Sequence, residues 1–129
     1  MTIPSNSISA SASGKIILLG EHTVVYGQPA IAIPVSNLRA EATITENQGQ
    51  VGEIWIDAPS IRLYKNIQDL KIRHPLRVVI EKTLAESKTK LHTGLTIHIN
   101  SALPVAGGMG SGAAVSCAII RALSTYLLG

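Results

Sequence analysis

Pro104-Val105-Ala106-Gly107-Gly108-Met109-Gly110-Ser111-Gly112-Ala113-Ala114 is the stretch on which the architecture of this chain turns. Upstream of it, Leu95, Ile97 and Ile99 alternate with Thr96 and His98, which predicts a strand over Gly94 to Asn100. Downstream, no helix breaker follows Gly112, and Ser111 to Leu128 is largely apolar, which predicts a mostly buried helix. The turn between them is therefore a strand-to-helix connection rich in glycine. Glycine admits positive φ and lets an anion approach the backbone amides closely. The unused N–H groups and partial positive charge of a helix start favour phosphate there. Ser111 adds a hydroxyl for a phosphate oxygen or a bound metal. A glycine-rich turn that merely lets the helix pack close to a sheet would give the same pattern.

Working back along the chain, Leu76, Val79, Ile80, Thr83 and Leu84 recur at helical spacing with charges between them, and Pro75 suits a first helical turn. An amphipathic helix is expected from Pro75 to about Ser87. Ser7 to Gly20 reads as a strand, with Ile8, Ala10 and Ala12 alternating with serines before a run, Lys15 to Leu19, expected to be buried. Glu21 to Gly27 is a polar connection. Ala30 to Glu46 is a long strand, and the turn residues Asn47-Gln48-Gly49 predict that Val51 to Asp57 returns as its hairpin partner. The order β-β-β-α-β-α suits an α+β layer better than a doubly wound sheet.

Composition narrows the function classes. The 129 residues suffice for one compact domain, and 46% apolar residues argue against disorder. The net charge of +3 is scattered and not interleaved with aromatics, so nucleic acid is not an expected partner. Cys117 is the single cysteine, which excludes an internal disulfide and suits a reducing compartment, the cytoplasm. No charged n-region opens the chain, so a secretory signal is not expected. Ile99 to Ile120 carries no charge, but its bare glycine backbone would be costly in lipid, so a membrane span is rejected.

A second polar cluster flanks Ile16 to Leu19: Gly14-Lys15 on one side and Gly20-Glu21-His22 on the other. Lys15 either points into a polar cleft or lies on a solvated strand face; Glu21 and His22 fall past the strand end, where functional side chains collect. His74, His92 and His98 show no metal-ligand spacing with His22. The P-loop signature is absent, since Gly14-Lys15 is followed by Ile16 and Gly112 by Ala113. The His-Arg-Asp and Asp-Phe-Gly signatures of protein kinases are also missing.

Ala12-Ser13-Gly14-Lys15-Ile16-Ile17-Leu18-Leu19-Gly20-Glu21-His22-Thr23-Val24-Val25-Tyr26-Gly27 resembles the first motif of the GHMP kinases, and Pro104 to Ala114 resembles their second, ATP-binding motif. The valine pair and Pro29-Ala30-Ile31-Ala32 look most like the mevalonate kinase branch. The resemblance implies an incomplete α+β domain over residues 1–129, similar to domain 2 of ribosomal protein S5, forming the N-terminal part of such a kinase. It implies ATP and Mg2+ as cofactors, mevalonate as substrate, and a homodimer for the complete enzyme. By position, Lys15 matches a catalytic and substrate-binding residue, and Glu21 and His22 match substrate-binding ones. Ala106, Gly107, Gly108, Met109, Gly110, Ser111 and Gly112 match the phosphate loop, and Asn37 and Ser101 match positions near the nucleotide. Three departures stand out: Ser13 for proline, Met109 for leucine, and Gly112 for a serine that is a magnesium ligand in mevalonate kinases. Ser111 is then the remaining candidate for the metal. The family's catalytic aspartate, a magnesium-binding acid and a third glycine-rich motif have no match, so the chain alone is expected to be inactive. Another small-alcohol kinase of the family and a non-catalytic binding module of the same fold are the alternatives.

Overall fold

The computed structural model describes residues 7–104 and 110–129. Five strands form one sheet: β1 (Ile8–Leu19), β2 (Ile31–Asn47), β3 (Ile54–Ala58), β4 (Leu63–Asn66) and β5 (Gly94–Ser101). Their order in space is β1-β2-β5-β3-β4. Two helices, α1 (Pro75–Ser87) and α2 (Ser111–Leu128), cover one face. The α+β class and both helix ranges agree with the sequence expectation.

Alternation explains which face is covered. Ala42 and Ile44 of β2, Ile97 and Ile99 of β5, and Ile54 and Ile56 of β3 all point to the helices and are buried. On α2, Ala118, Ile119, Ala122 and Leu123 meet them, and Ile80 of α1 closes the layer. The opposite face carries the polar halves of the same strands, paired among themselves. Ser9 bonds Thr43, Asn47 donates to Thr96, and His98 bridges Thr45 and Asp57 at 3.1 Å on either side.

Four expectations need correction. Val51 to Asp57 is not the hairpin partner of β2: β5 lies between β2 and β3, antiparallel to the first and parallel to the second. Turn residues bend the chain locally, but burying Leu95, Ile97 and Ile99 on the middle strand decides which strands are neighbours. The short edge strand β4, paired antiparallel with β3, has no alternation long enough to be read. α2 is covered on one face only, with Cys117, Ile120 and Arg121 exposed. It is long and apolar enough to cross a membrane by composition, yet that buried face packs on the sheet. Finally, Lys15 to Leu19 is exposed, reaching 67% at Leu19. Pairing with Ile31 to Val35 extends β1 beyond the region the helices cover, so its apolar side chains have no layer above them.

At the other end of the molecule, half-buried Tyr126 donates to Glu46 Oε1 at 2.7 Å. Burial, then that hydrogen bond and the carboxylate charge, pushes the Tyr126 phenol up from 10 to about 12. The folded state thus keeps a proton that the unfolded chain releases near pH 10. The contribution is complete below pH 10 and is lost as pH rises through about 12. Urea unfolding across that window is expected to show wild type losing stability more steeply than Tyr126→Phe; parallel losses would mean the phenol contributes nothing.

Candidate functional site

The pairing of β1 with β2 shifts register twice, between Ser13 and Gly14 and between Ile17 and Leu19, and the first shift builds the site. Ser13 pairs with Arg39 but Gly14 with Val35, so Ser36, Asn37 and Leu38 form an excursion in β2. Such irregularities bend a strand and re-aim the side chains beside them. Lys15 is the second residue past the bend. Its side chain lies over Gly110, where a Cβ would stand 2.8 Å from Lys15 Nζ and 3.1 Å from Cγ. Gly110 is the residue before α2, held at φ 69° with no side-chain cap. Its carbonyl accepts from Ala114 at 2.9 Å, whereas the Ser111, Gly112 and Ala113 amides precede the first intrahelical donor. A lysine ammonium and the open amides of a helix start therefore converge, a pairing suited to phosphate oxygens.

The start of α2 is anchored by a small second core, in which Ala114 packs with Ala40 and Leu103, and Ala12 and Leu38 pack against them. The Ser101 hydroxyl, at the end of β5, accepts from the Leu103 amide at 3.2 Å and shapes the turn out of the sheet. Beside that turn lies a cavity of about 540 Å3. Its walls include Ile61, Leu76, Ile99, Leu103 and Val115, and its polar groups include Ser101, Ser111 and His74. A largely apolar hollow with a few polar groups, ending at a helix N-terminus, has the character of a small-molecule pocket.

The sequence-derived residues thus fall into three sets. Lys15, Gly110, Ser111, Gly112 and Ser101 gather around this turn and cavity. Ala106, Gly107, Gly108 and Met109 lie outside the described residues. Glu21 and His22 sit elsewhere, separated from Lys15 along the strand by Ile16 to Leu19, at about 3.3 Å rise per residue. Glu21 Oε1 is 3.5 Å from His22 Nε2, and the two side chains are 62% and 93% exposed. Asn37 is exposed in the β2 excursion and does not line the cavity. His74 was missed as a site residue. Its only sequence signal was its place before Pro75, which marks a helix start and says nothing of a pocket.

Metal chemistry has less support from the described residues. No three His, Cys, Asp or Glu among them are grouped to hold an ion, and no carboxylate lines the cavity. Ser111 is the single hydroxyl in the first turn of α2.

Comparison with known proteins gives a consistent picture. Residues 72–129 match the model of the GHMP kinases N terminal domain. Among curated relatives, the mevalonate kinase of Thermococcus gammatolerans is 38% identical over 134 residues, covering 93% of this chain and 39% of the relative. That of Pyrococcus abyssi is 37% identical with the same coverage. The crystal structure of the Methanococcus jannaschii mevalonate kinase superposes with a TM-score of 0.77 at 30% identity, over 95% of this chain and 41% of that one. A D-glycero-D-manno-heptose 1-phosphate kinase from Bacteriodes thetaiotaomicron, at 19% identity and a TM-score of 0.76, shares the fold. The chain spans about two-fifths of the length of the curated relatives it matches.

Two glycines of one turn should respond in opposite ways to substitution. Gly110→Ala meets both the positive φ, which costs about 1 kcal/mol in an L-residue, and the Lys15 side chain. Gly112 has open space where a Cβ would stand, so Gly112→Ser should stabilise α2 by about 0.5 kcal/mol. Chemical unfolding of both variants checks this. Equal effects would mean that the Lys15–Gly110 approach is not a constraint.

Proposed function

This chain belongs to the GHMP kinase family, and from that premise we propose that it supplies the nucleotide pocket and part of the alcohol site of a mevalonate kinase. The reaction is ATP-dependent phosphorylation of the primary alcohol of mevalonate, feeding isoprenoid precursor synthesis in the cytoplasm. The observation that carries the reading is Lys15 lying against Gly110 at the start of α2, beside the 540 Å3 cavity.

In this reading, the triphosphate of ATP lies at the start of α2, where the Ser111, Gly112 and Ala113 amides and the Ser111 hydroxyl meet its oxygens. The nucleoside extends into the cavity between Ile99, Leu103 and Val115. Lys15 neutralises charge on the transferred phosphoryl group. Phosphoryl transfer asks mainly for positioning and charge stabilisation, so amides and one ammonium held in place supply much of it. Glu21 and His22 are assigned to the alcohol side, and Asn37 to the margin of the nucleotide. Magnesium prefers carboxylates and phosphate oxygens in octahedral geometry. One hydroxyl at Ser111, with Gly112 contributing no side chain, does not make that site, so the described residues alone do not fit the ion. No general base is assigned within this chain, and the complete enzyme is proposed to be a homodimer without nucleic-acid or membrane partners.

The test uses two proteins. The chain alone should bind ATP but release no ADP when mevalonate is added; mevalonate-dependent ADP release from it would overturn its assignment as an inactive part. In a protein carrying this chain with the remaining length of its relatives, Lys15→Ala should lower kcat about 100-fold or more while ATP affinity changes little. Unchanged turnover would remove Lys15 from the chemistry. A panel of mevalonate, galactose and homoserine with the same protein separates mevalonate kinase from other small-alcohol kinases of the family.

A further inference from the structure

His74 stands at the entrance to α1 and serves two surfaces at once. Its Nδ1 accepts a hydrogen bond from the Leu76 amide at 3.2 Å, capping the helix. The same residue lines the 540 Å3 cavity. A neutral imidazole that accepts through Nδ1 carries its proton on Nε2, so the cap fixes the tautomer. The backbone that carries the ring is held firmly as well. The His74 amide donates to the Lys71 carbonyl at 2.9 Å, its carbonyl accepts from Val78 at 3.0 Å, and Pro75 locks the next φ. Arg77 ties the preceding segment to α1, donating to the carbonyls of Gln68 and Leu70 and pairing with Glu81.

Nε2 makes no hydrogen bond among the described residues. No fully buried side-chain nitrogen or oxygen there lacks a partner, so this N–H is an accessible donor. His74 borders a cavity whose wall is mainly apolar, with Ile61, Leu76, Ile99, Leu103 and Val115, and also carries the hydroxyls of Ser60, Ser101, Ser111 and Ser116. A donor of fixed tautomer in a mainly apolar wall suits a flat heteroaromatic ring with an acceptor nitrogen, and it differs from the serine hydroxyls in holding its proton in one direction. Resting on the nucleotide reading above, which puts the phosphates at Ser111, we propose that His74 reads the base of the nucleotide, with Nε2–H donating to a purine ring nitrogen. The residue that caps α1 is then also a specificity determinant, and the helix start is rigid because the donor must be.

The experiment separates capping from recognition. Serine and threonine are good N-caps but carry no donor at the depth of an imidazole Nε2. The full 129-residue chain and its His74→Ser and His74→Thr variants are titrated calorimetrically with ATP, adenosine and inorganic tripolyphosphate, and their thermal midpoints are compared. Both variants should weaken ATP and adenosine about five- to tenfold, the worth of one hydrogen bond. Tripolyphosphate affinity and the thermal midpoint should stay unchanged. If wild type binds ATP and the variants bind it equally well, His74 is only a cap and the proposal is overturned. An equal loss for ATP and tripolyphosphate also overturns it, because the effect would then lie at the phosphates. If wild type binds neither ATP nor adenosine, the nucleotide reading of the cavity falls and this proposal with it.

Discussion

The insertion of β5 between β2 and β3 is the constraint on which the rest of the molecule depends. Ile97 sits between Ile44 and Ile56 in register, and all three are fully buried beneath the helices. Each such side chain is worth about 1.5–3 kcal/mol of burial. Because side chains alternate with period two, a slip of one residue would turn Thr96 and His98 into the core and Ile97 into water. The polar face resists the same slip, since Asn47 would lose Thr96, and His98 would lose Thr45 and Asp57. The register is therefore held from both sides of the sheet.

That register has a direct consequence at the far end of β5. Ser101 pairs with Ala40, so the chain leaves the sheet next to the excursion in β2 and the bend in β1. Leu103 and Ala114 then dock on Ala40, which sets the start of α2 beside Lys15. Lys15 and Gly110 are far apart in sequence and meet through a chain of packing contacts, none of which is itself a polar site contact. The site is precise because its supports are apolar, buried and short.

Much of this was legible from the residues, for identifiable reasons. Pro75 and the 3.6-residue repeat bounded α1, and the glycine turn bounded α2, because these signals act locally. Lys15, Ser101 and Ser111 were legible through motif order, although not the distance between them. The hairpin misreading and the missing β4 share one cause, namely that strand neighbours are chosen by non-local burial. Reading Lys15 to Leu19 as buried failed for a related reason. Hydropathy says that a segment would gain from cover, and it does not say whether the cover is part of the same layer. His74 escaped notice because a helix-start signal carries no information about what the side chain's other edge faces.

The two ends of the proposed active site differ in how firmly they are held, and this has a mechanistic meaning. The nucleotide end rests on the sheet terminus, two helix starts and a packed second core. The alcohol end, at Glu21 and His22, rests on a two-stranded ribbon whose Ile16, Leu18, Leu19 and Ile31 are exposed. A two-stranded ribbon is marginal in water by itself, and its tip is tied by local backbone bonds, from Val24 to the Gly20 carbonyl and from Tyr26 and Gln28 to the Thr23 carbonyl, with no packed layer above it among the described residues. Misplacement by about 1 Å can cost 100-fold in a reaction that depends on alignment. In the proposed reading, the nucleotide end is therefore held more firmly than the alcohol end. In that reading, cover over the ribbon would do more than bury apolar side chains: it would also fix the distance from Lys15 to Glu21 and His22, and with it the proposed line of phosphoryl transfer.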